Sequence, residues 1–156
     1  MDFDCDLDSL LSVLSHTPQL HRLYCTRLFQ SKEDDDTDFS IKCSNLKYLR
    51  IEECSVKFDR FQKFIKDIGS QIKIFWIHGY LPDDDDIEPD QWRILIEKDL
   101  PQLEKILLRS SVTTDVRKIN SVIDQLNSSF WIDHQWNIRL EIEPDESSYF
   151  ISSYMY

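Results

Sequence analysis

The sequence predicts an α/β fold of stacked repeats, in which short parallel strands alternate with helices and line up in one curved sheet. Three observations carry that expectation. The pattern apolar-x-x-apolar-x-apolar occurs four times, as Leu20-His-Arg-Leu23-Tyr-Cys25, Leu46-Lys-Tyr-Leu49-Arg-Ile51, Ile72-Lys-Ile-Phe75-Trp-Ile77 and Leu103-Glu-Lys-Ile106-Leu-Leu108. Its first positions fall at 20, 46, 72 and 103, so the copies are spaced by 26, 26 and 31 residues. Between the copies the apolar period changes from 2 to about 3.6, the sign of a helix after each strand.

The helices follow in order. Leu7, Leu10, Leu11 and Leu14 form the first apolar face, with aspartates ahead of it where the helix dipole is positive. Phe58, Phe61, Phe64, Ile65 and Ile68 form the second, closed by Gly69 as a C-terminal cap. Trp92, Leu95, Ile96 and Leu100 form the third, opened by Pro89 and ended before Pro101. Val116, Ile119, Val122, Ile123 and Leu126 form the fourth, with Thr114 or Asp115 as N-cap. The sequence contains no alanine, so these helices depend on burial of an apolar face and not on intrinsic propensity.

The first two spacings lie within the roughly 20 to 29 residues of a leucine-rich repeat. The third carries an insertion, Leu81-Pro-Asp-Asp-Asp-Asp-Ile-Glu-Pro89, which reads as a surface loop. The second copy extends the consensus to Cys54, and Leu28, Tyr80 and Ser111 fall at the equivalent place in the others. Residues 29–42 form an acidic loop, and Phe130 to Ile142 and Tyr149 to Tyr156 alternate as strands. The expected architecture is therefore a leucine-rich-repeat solenoid with a parallel sheet on its concave face and helices on its convex face. Residues 1–128 make about four units, the N-terminal one incomplete, and residues 129–156 a C-terminal cap of strands carrying Trp131 and Trp136.

Composition narrows the function. The 156 residues hold 18 Lys plus Arg against 29 Asp plus Glu, a formal net charge of −11, which disfavours nucleic acid and anionic membranes as partners. The acidic start, Met1-Asp-Phe-Asp4, lacks the positive charge of a secretory signal, so a cytoplasmic or nuclear location is expected. Cys5, Cys25, Cys43 and Cys54 are then expected as reduced thiols, with Cys54 a small buried repeat residue.

Catalytic and cofactor motifs are weak. The cysteines and His16, His21, His78 and His134 show no metal-ligand spacing, and Asp83 to Asp86 lack the glycine and glutamate of a calcium loop. Two glycines, Gly69 and Gly79, supply neither a phosphate loop nor a dinucleotide fingerprint. Trp92 and Phe61 sit on helical apolar faces and are expected in the core. The expectation is a chain with no catalysis, no cofactor and no metal.

Thr17-Pro-Gln-Leu20, the Leu46 to Cys54 copy, Asp90-Gln-Trp92 leading into Leu100-Pro-Gln-Leu103, and Phe130-Trp-Ile-Asp-His-Gln-Trp136 together resemble the repeat region of F-box and leucine-rich-repeat proteins. That resemblance implies a surface that selects substrates for a cullin-based ubiquitin ligase. It also implies an adaptor contact through a region N-terminal to these repeats, since no segment here aligns with an F-box.

Strand alternation fixes the outward side chains. They are Arg22, Tyr24 and Thr26, then Tyr48, Arg50 and Glu52, then Ile74, Trp76 and His78, then Lys105, Leu107 and Arg109. Four are basic and one acidic, a balance of +3 on a chain of −11. The expected partner-binding residues are Arg22, Tyr24, Tyr48, Arg50, Trp76, His78, Lys105 and Arg109, with aromatic anchors and arginine clamps suited to an acidic or phosphorylated protein partner. Single-stranded nucleic acid, stacking on the same aromatics, is the alternative ligand. Cross-strand ladders that only solvate the sheet are the structural alternative.

Overall fold

A computed structural model describes residues 4–31, 41, 43, 45–80, 88–112, 115–142 and 147–153. The acidic stretch at 32–40, the loop at 81–87 and Thr114 lie outside the described residues, as do residues 154–156. The chain is α/β, with seven strands in one sheet ordered β1-β2-β3-β4-β5-β7-β6. The first five are β1 (Asp4–Asp6), β2 (Arg22–Phe29), β3 (Tyr48–Cys54), β4 (Ile74–Tyr80) and β5 (Lys105–Val112). They stand side by side in chain order and pair in parallel. The last two, β6 (Asn137–Ile142) and β7 (Ser147–Ser152), are antiparallel, and β7 inserts between β5 and β6.

The four copies of the sequence pattern occupy equivalent rungs. Leu23 pairs with Leu49, Leu49 with Phe75 and Phe75 with Ile106, while Cys25, Ile51, Ile77 and Leu108 make the rung two residues on. Their side chains face α1 (Leu7–His16), α2 (Phe58–Ile68), α3 (Pro89–Asp99) and α4 (Val116–Leu126), which complete the core; of the expected α4 face, Ile119, Val122 and Leu126 are buried, whereas Val116 and Ile123 are exposed. Trp92 of α3 joins the layers, its ring centre 5.3 Å from Phe58, 6.0 Å from Phe61 and 6.4 Å from Phe75. Both Trp92 and Phe61 are fully buried, as their helical positions require.

Strict alternation ends after the second core rung. Two successive residues, Thr26 and Arg27 in β2 and Glu52 and Glu53 in β3, leave the core before the chain turns back in at Leu28 and Cys54. In β5 a single residue, Arg109, separates buried Leu108 from buried Ser110. The β4–β5 register therefore shifts between Ile77 and Tyr80, and Ser110, not the expected Ser111, pairs with Tyr80. A fixed consensus spacing cannot register that one-residue shortening.

The ends of the sheet also depart from the sequence expectation. Asp4–Asp6 form a strand paired with Arg27–Phe29 ahead of the first helix, an element too short to show periodicity. Asp6 then caps α1, accepting from Ser9 N–H at 2.9 Å and from the Ser9 hydroxyl at 2.7 Å. At the other end, the segment read as a strand from Phe130 begins instead as a short helix, α5 (Ser129–Asp133). The physical reason is that Trp131 is buried while Ile132 and Asp133 are exposed, and Gln135, with φ of 54°, reverses the chain before β6. Trp131 thus belongs to a helix, and Trp136 lies between the turn and β6. Together with Phe130 and His134 they pack as an aromatic cluster, with centroid distances of 4.8 Å for Phe130–Trp131 and 4.5 Å for His134–Trp136.

Helices α3 and α4 are tied by one side chain. Gln125 Nε2 donates to Glu88 Oε2 at 2.6 Å, and Gln125 Oε1 accepts from Asp90 N–H at 3.0 Å. This satisfies a donor that the first turn of α3 leaves unpaired. No helix among the described residues is long and apolar enough to cross a membrane.

Candidate functional site

The described helices share one core cluster with the inward rungs of the sheet, so the alternate residues of the strands point to the other side. The expected residues fall on adjacent rungs of that face. Arg22, Tyr48, Ile74 and Lys105 form one row, and Tyr24, Arg50, Trp76 and Leu107 the next. Arg22, His78 and Lys105 are exposed; Tyr24, Tyr48, Arg50, Trp76 and Arg109 are half-buried. Leu107, expected to face outward, is only 7% exposed, and Ser152 of β7 is its neighbour on the rung.

The second row is built around Arg50. Its guanidinium carbon lies 5.2 Å from the centre of the Tyr24 ring and 4.9 Å from that of Trp76, so the cation stands between two aromatic rings on neighbouring strands. Arg50 also holds Glu52 on its own strand, with Nε 2.7 Å and Nη2 2.5 Å from Glu52 Oε1. The Tyr24 hydroxyl donates to the same oxygen at 3.3 Å. Partial burial opposes the charge, but hydrogen bonds to Glu52 and Tyr48 outweigh it and raise the arginine's pKa further. Arg50 is therefore a permanent cation that rigidifies two aromatics, with one edge already committed to Glu52.

A second arrangement of the same type lies toward the C-terminal strands. Arg109 of β5, Phe150 of β7 and Arg139 of β6 share one row. The two guanidinium carbons stand 5.0 Å and 5.2 Å from the Phe150 ring centre. Sequence reasoning identified Arg109 but missed Phe150 and Arg139, because the antiparallel return that brings them beside β5 has no repeat spacing to reveal it.

The remaining chemistry is sparse. No group of three or more His, Cys, Asp or Glu residues that could hold a metal ion occurs among the described residues. Cys5 and Cys25 place their sulfurs 3.5 Å apart, both buried beneath the helices. Burial pushes the Cys5 and Cys54 thiols up to about 12, the Cys25 contact adding to the effect at Cys5. Such thiols are poor nucleophiles, since the thiolate is the reactive form. In comparisons with family models, with curated proteins and with solved structures, nothing matches this chain.

Proposed function

We propose that the strand–helix units form a leucine-rich-repeat solenoid whose outward sheet face binds a protein partner, with no catalysis of its own. The reading takes its substrate-receptor character from the resemblance to the repeats of F-box-type ubiquitin ligase receptors. Sequential parallel strands on matching rungs support the architecture.

The observation that carries the interface is the Tyr24–Arg50–Trp76 stack. Aromatic rings held before binding lose little conformational entropy on contact, and Trp, Tyr and Arg are the side chains that most often dominate binding energy. Half-buried Ile74 on β4 adds apolar surface close to Trp76.

The test is affinity capture from a cell lysate with the wild-type chain and with Trp76→Ala, followed by identification of bound proteins and a search among them for a ligase adaptor. A protein retained by the wild type and lost from a folded Trp76→Ala chain is the expected outcome. Equal capture by both removes Trp76 as the anchor. A salt titration separates the alternative ligand, because single-stranded nucleic acid binding falls steeply with ionic strength while an aromatic-anchored protein contact does not.

A further inference from the structure

Resting on that interface reading, we propose that Arg109, Phe150 and Arg139 form an acidic-peptide subsite of the sheet face, taking two carboxylates of an extended partner segment. Two like charges flank one aromatic ring. No carboxylate pairs with Arg109 among the described residues. Arg139 meets Glu141 at 3.5 Å, but its side chain is 64% exposed, and an exposed pair of this kind exchanges for another carboxylate at little cost. Among the described residues of this row, Arg109 and Arg139 face one neighbouring carboxylate, Glu141, on a chain of −11.

Geometry favours two carboxylates over one phosphate. Arg109 and Arg139 stand on strands separated by β7, so their backbones are about 10 Å apart, two strand spacings. That is roughly the rise of three residues in an extended chain. Each planar guanidinium offers a fork that fits one carboxylate, and the Phe150 ring between them offers an apolar platform for the intervening residues. Arg50, by contrast, already has Glu52 on its fork. The acidic specificity thus lies with Arg109 and Arg139, and the aromatic anchoring with the Tyr24–Arg50–Trp76 row.

Fluorescein-labelled hexaglutamate, titrated by fluorescence anisotropy at low salt, tests this, with hexaglutamine as the neutral control. The wild type binds hexaglutamate and not hexaglutamine. Arg109→Gln with Arg139→Gln weakens binding at least tenfold, and Phe150→Ala weakens it by a smaller factor. Lys57→Gln with Lys98→Gln removes the same charge from exposed positions just before α2 and near the end of α3, and changes affinity less than twofold. Circular dichroism melts confirm that each variant is folded. Unchanged binding in the arginine variant, or an equal loss in the lysine variant, overturns the subsite. Protein capture that still depends on Trp76 in either case leaves the broader interface standing, so the two failures are distinguishable.

Discussion

The Arg50 guanidinium carbon sits 4.9 Å from the Trp76 ring centre and 5.2 Å from that of Tyr24, and the side chain binds Glu52 at the same time. A cation between two rings contributes about 0.5–1 kcal/mol at an accessible site. Lysine keeps the charge but loses the flat fork and the stacking surface. Arg50→Lys should therefore lower stability by about that amount and weaken partner capture. Urea unfolding reads the first effect, and an unchanged midpoint would show that the stack adds nothing to the fold.

The rung Leu23–Leu49–Phe75–Ile106 makes a stronger demand. Leu49 is completely buried in the middle of the sheet, with strands on both sides and helices above. Leu49→Ala should cost about 2–5 kcal/mol, from lost transfer energy and the cavity left behind. Leu49→Asp or Ile51→Asp would bury an unpaired charge, and neither chain should give a native circular dichroism spectrum at neutral pH. A soluble, native-like spectrum from either would place these residues outside the core.

These rungs are the part of the fold that the sequence displays most clearly, because a side chain facing a core every second residue, repeated at even spacing, leaves a periodic mark. Leu20 to Cys25 and Leu46 to Ile51 show it best. Periodicity says nothing where burial depends on a partner far along the chain. Arg139 and Phe150 look like ordinary surface residues until β7 returns beside β5. Phe130, Trp131 and Ile132 form a short apolar run, which periodicity alone cannot assign to strand or helix, and the burial of Trp131 with Ile132 exposed goes with the helix. Asp4–Asp6 are too few to carry any period and become a strand because β2 offers an edge.

Gly69 and Gln135 exchange the roles that helix ends usually assign. Gly69 ends α2 with φ of −77°, an ordinary right-handed conformation, so its backbone does not require glycine. Space does: a Cβ there would lie 2.4 Å from the Asp99 carbonyl oxygen. Gly69→Ala should destabilise by about 1–3 kcal/mol through forced separation of α2 from the end of α3. Gln135 instead occupies the left-handed region, with φ of 54° and no glycine. Gln135→Gly should be neutral or stabilising by up to about 1 kcal/mol, relief of that conformation offsetting the added chain entropy. Paired urea titrations check both, and an undiminished midpoint for Gly69→Ala or a lowered one for Gln135→Gly would refute the assignment.

Asp6 gives the fold a dependence on acid. Hydrogen bonds from the Ser9 hydroxyl and the Ser9 backbone N–H hold its carboxyl below the usual value. A depressed carboxyl contributes stability that is complete above its unfolded pKa of about 3.9 and is lost as pH falls through the lower folded value. Asp6→Ala should cost about 0.5–2 kcal/mol at neutral pH, the usual worth of an N-cap. The gap between variant and wild type should close as the pH is lowered below about 3.9. Melting curves from pH 7 down to the acid limit measure it, and a constant gap would mean that charge at Asp6 is irrelevant to the cap.

The four thiols supply a test of the packed interior that needs no partner. Cys5, Cys25, Cys43 and Cys54 are 4%, 0%, 1% and 1% exposed. Burial raises the pKa of each, to about 12 for Cys5 and Cys54. At pH 8 almost none of these groups is a thiolate, and none can meet a reagent without local opening. Ellman's reagent should therefore find close to four thiols in urea and almost none in the native chain over minutes. Sub-denaturing urea should release Cys5 first, because β1 is a three-residue edge strand held on one side only, whereas Cys54 lies on an interior strand. Mass mapping of the alkylated cysteines orders them, and early labelling of Cys54 would contradict the sheet order on which the candidate interface is built.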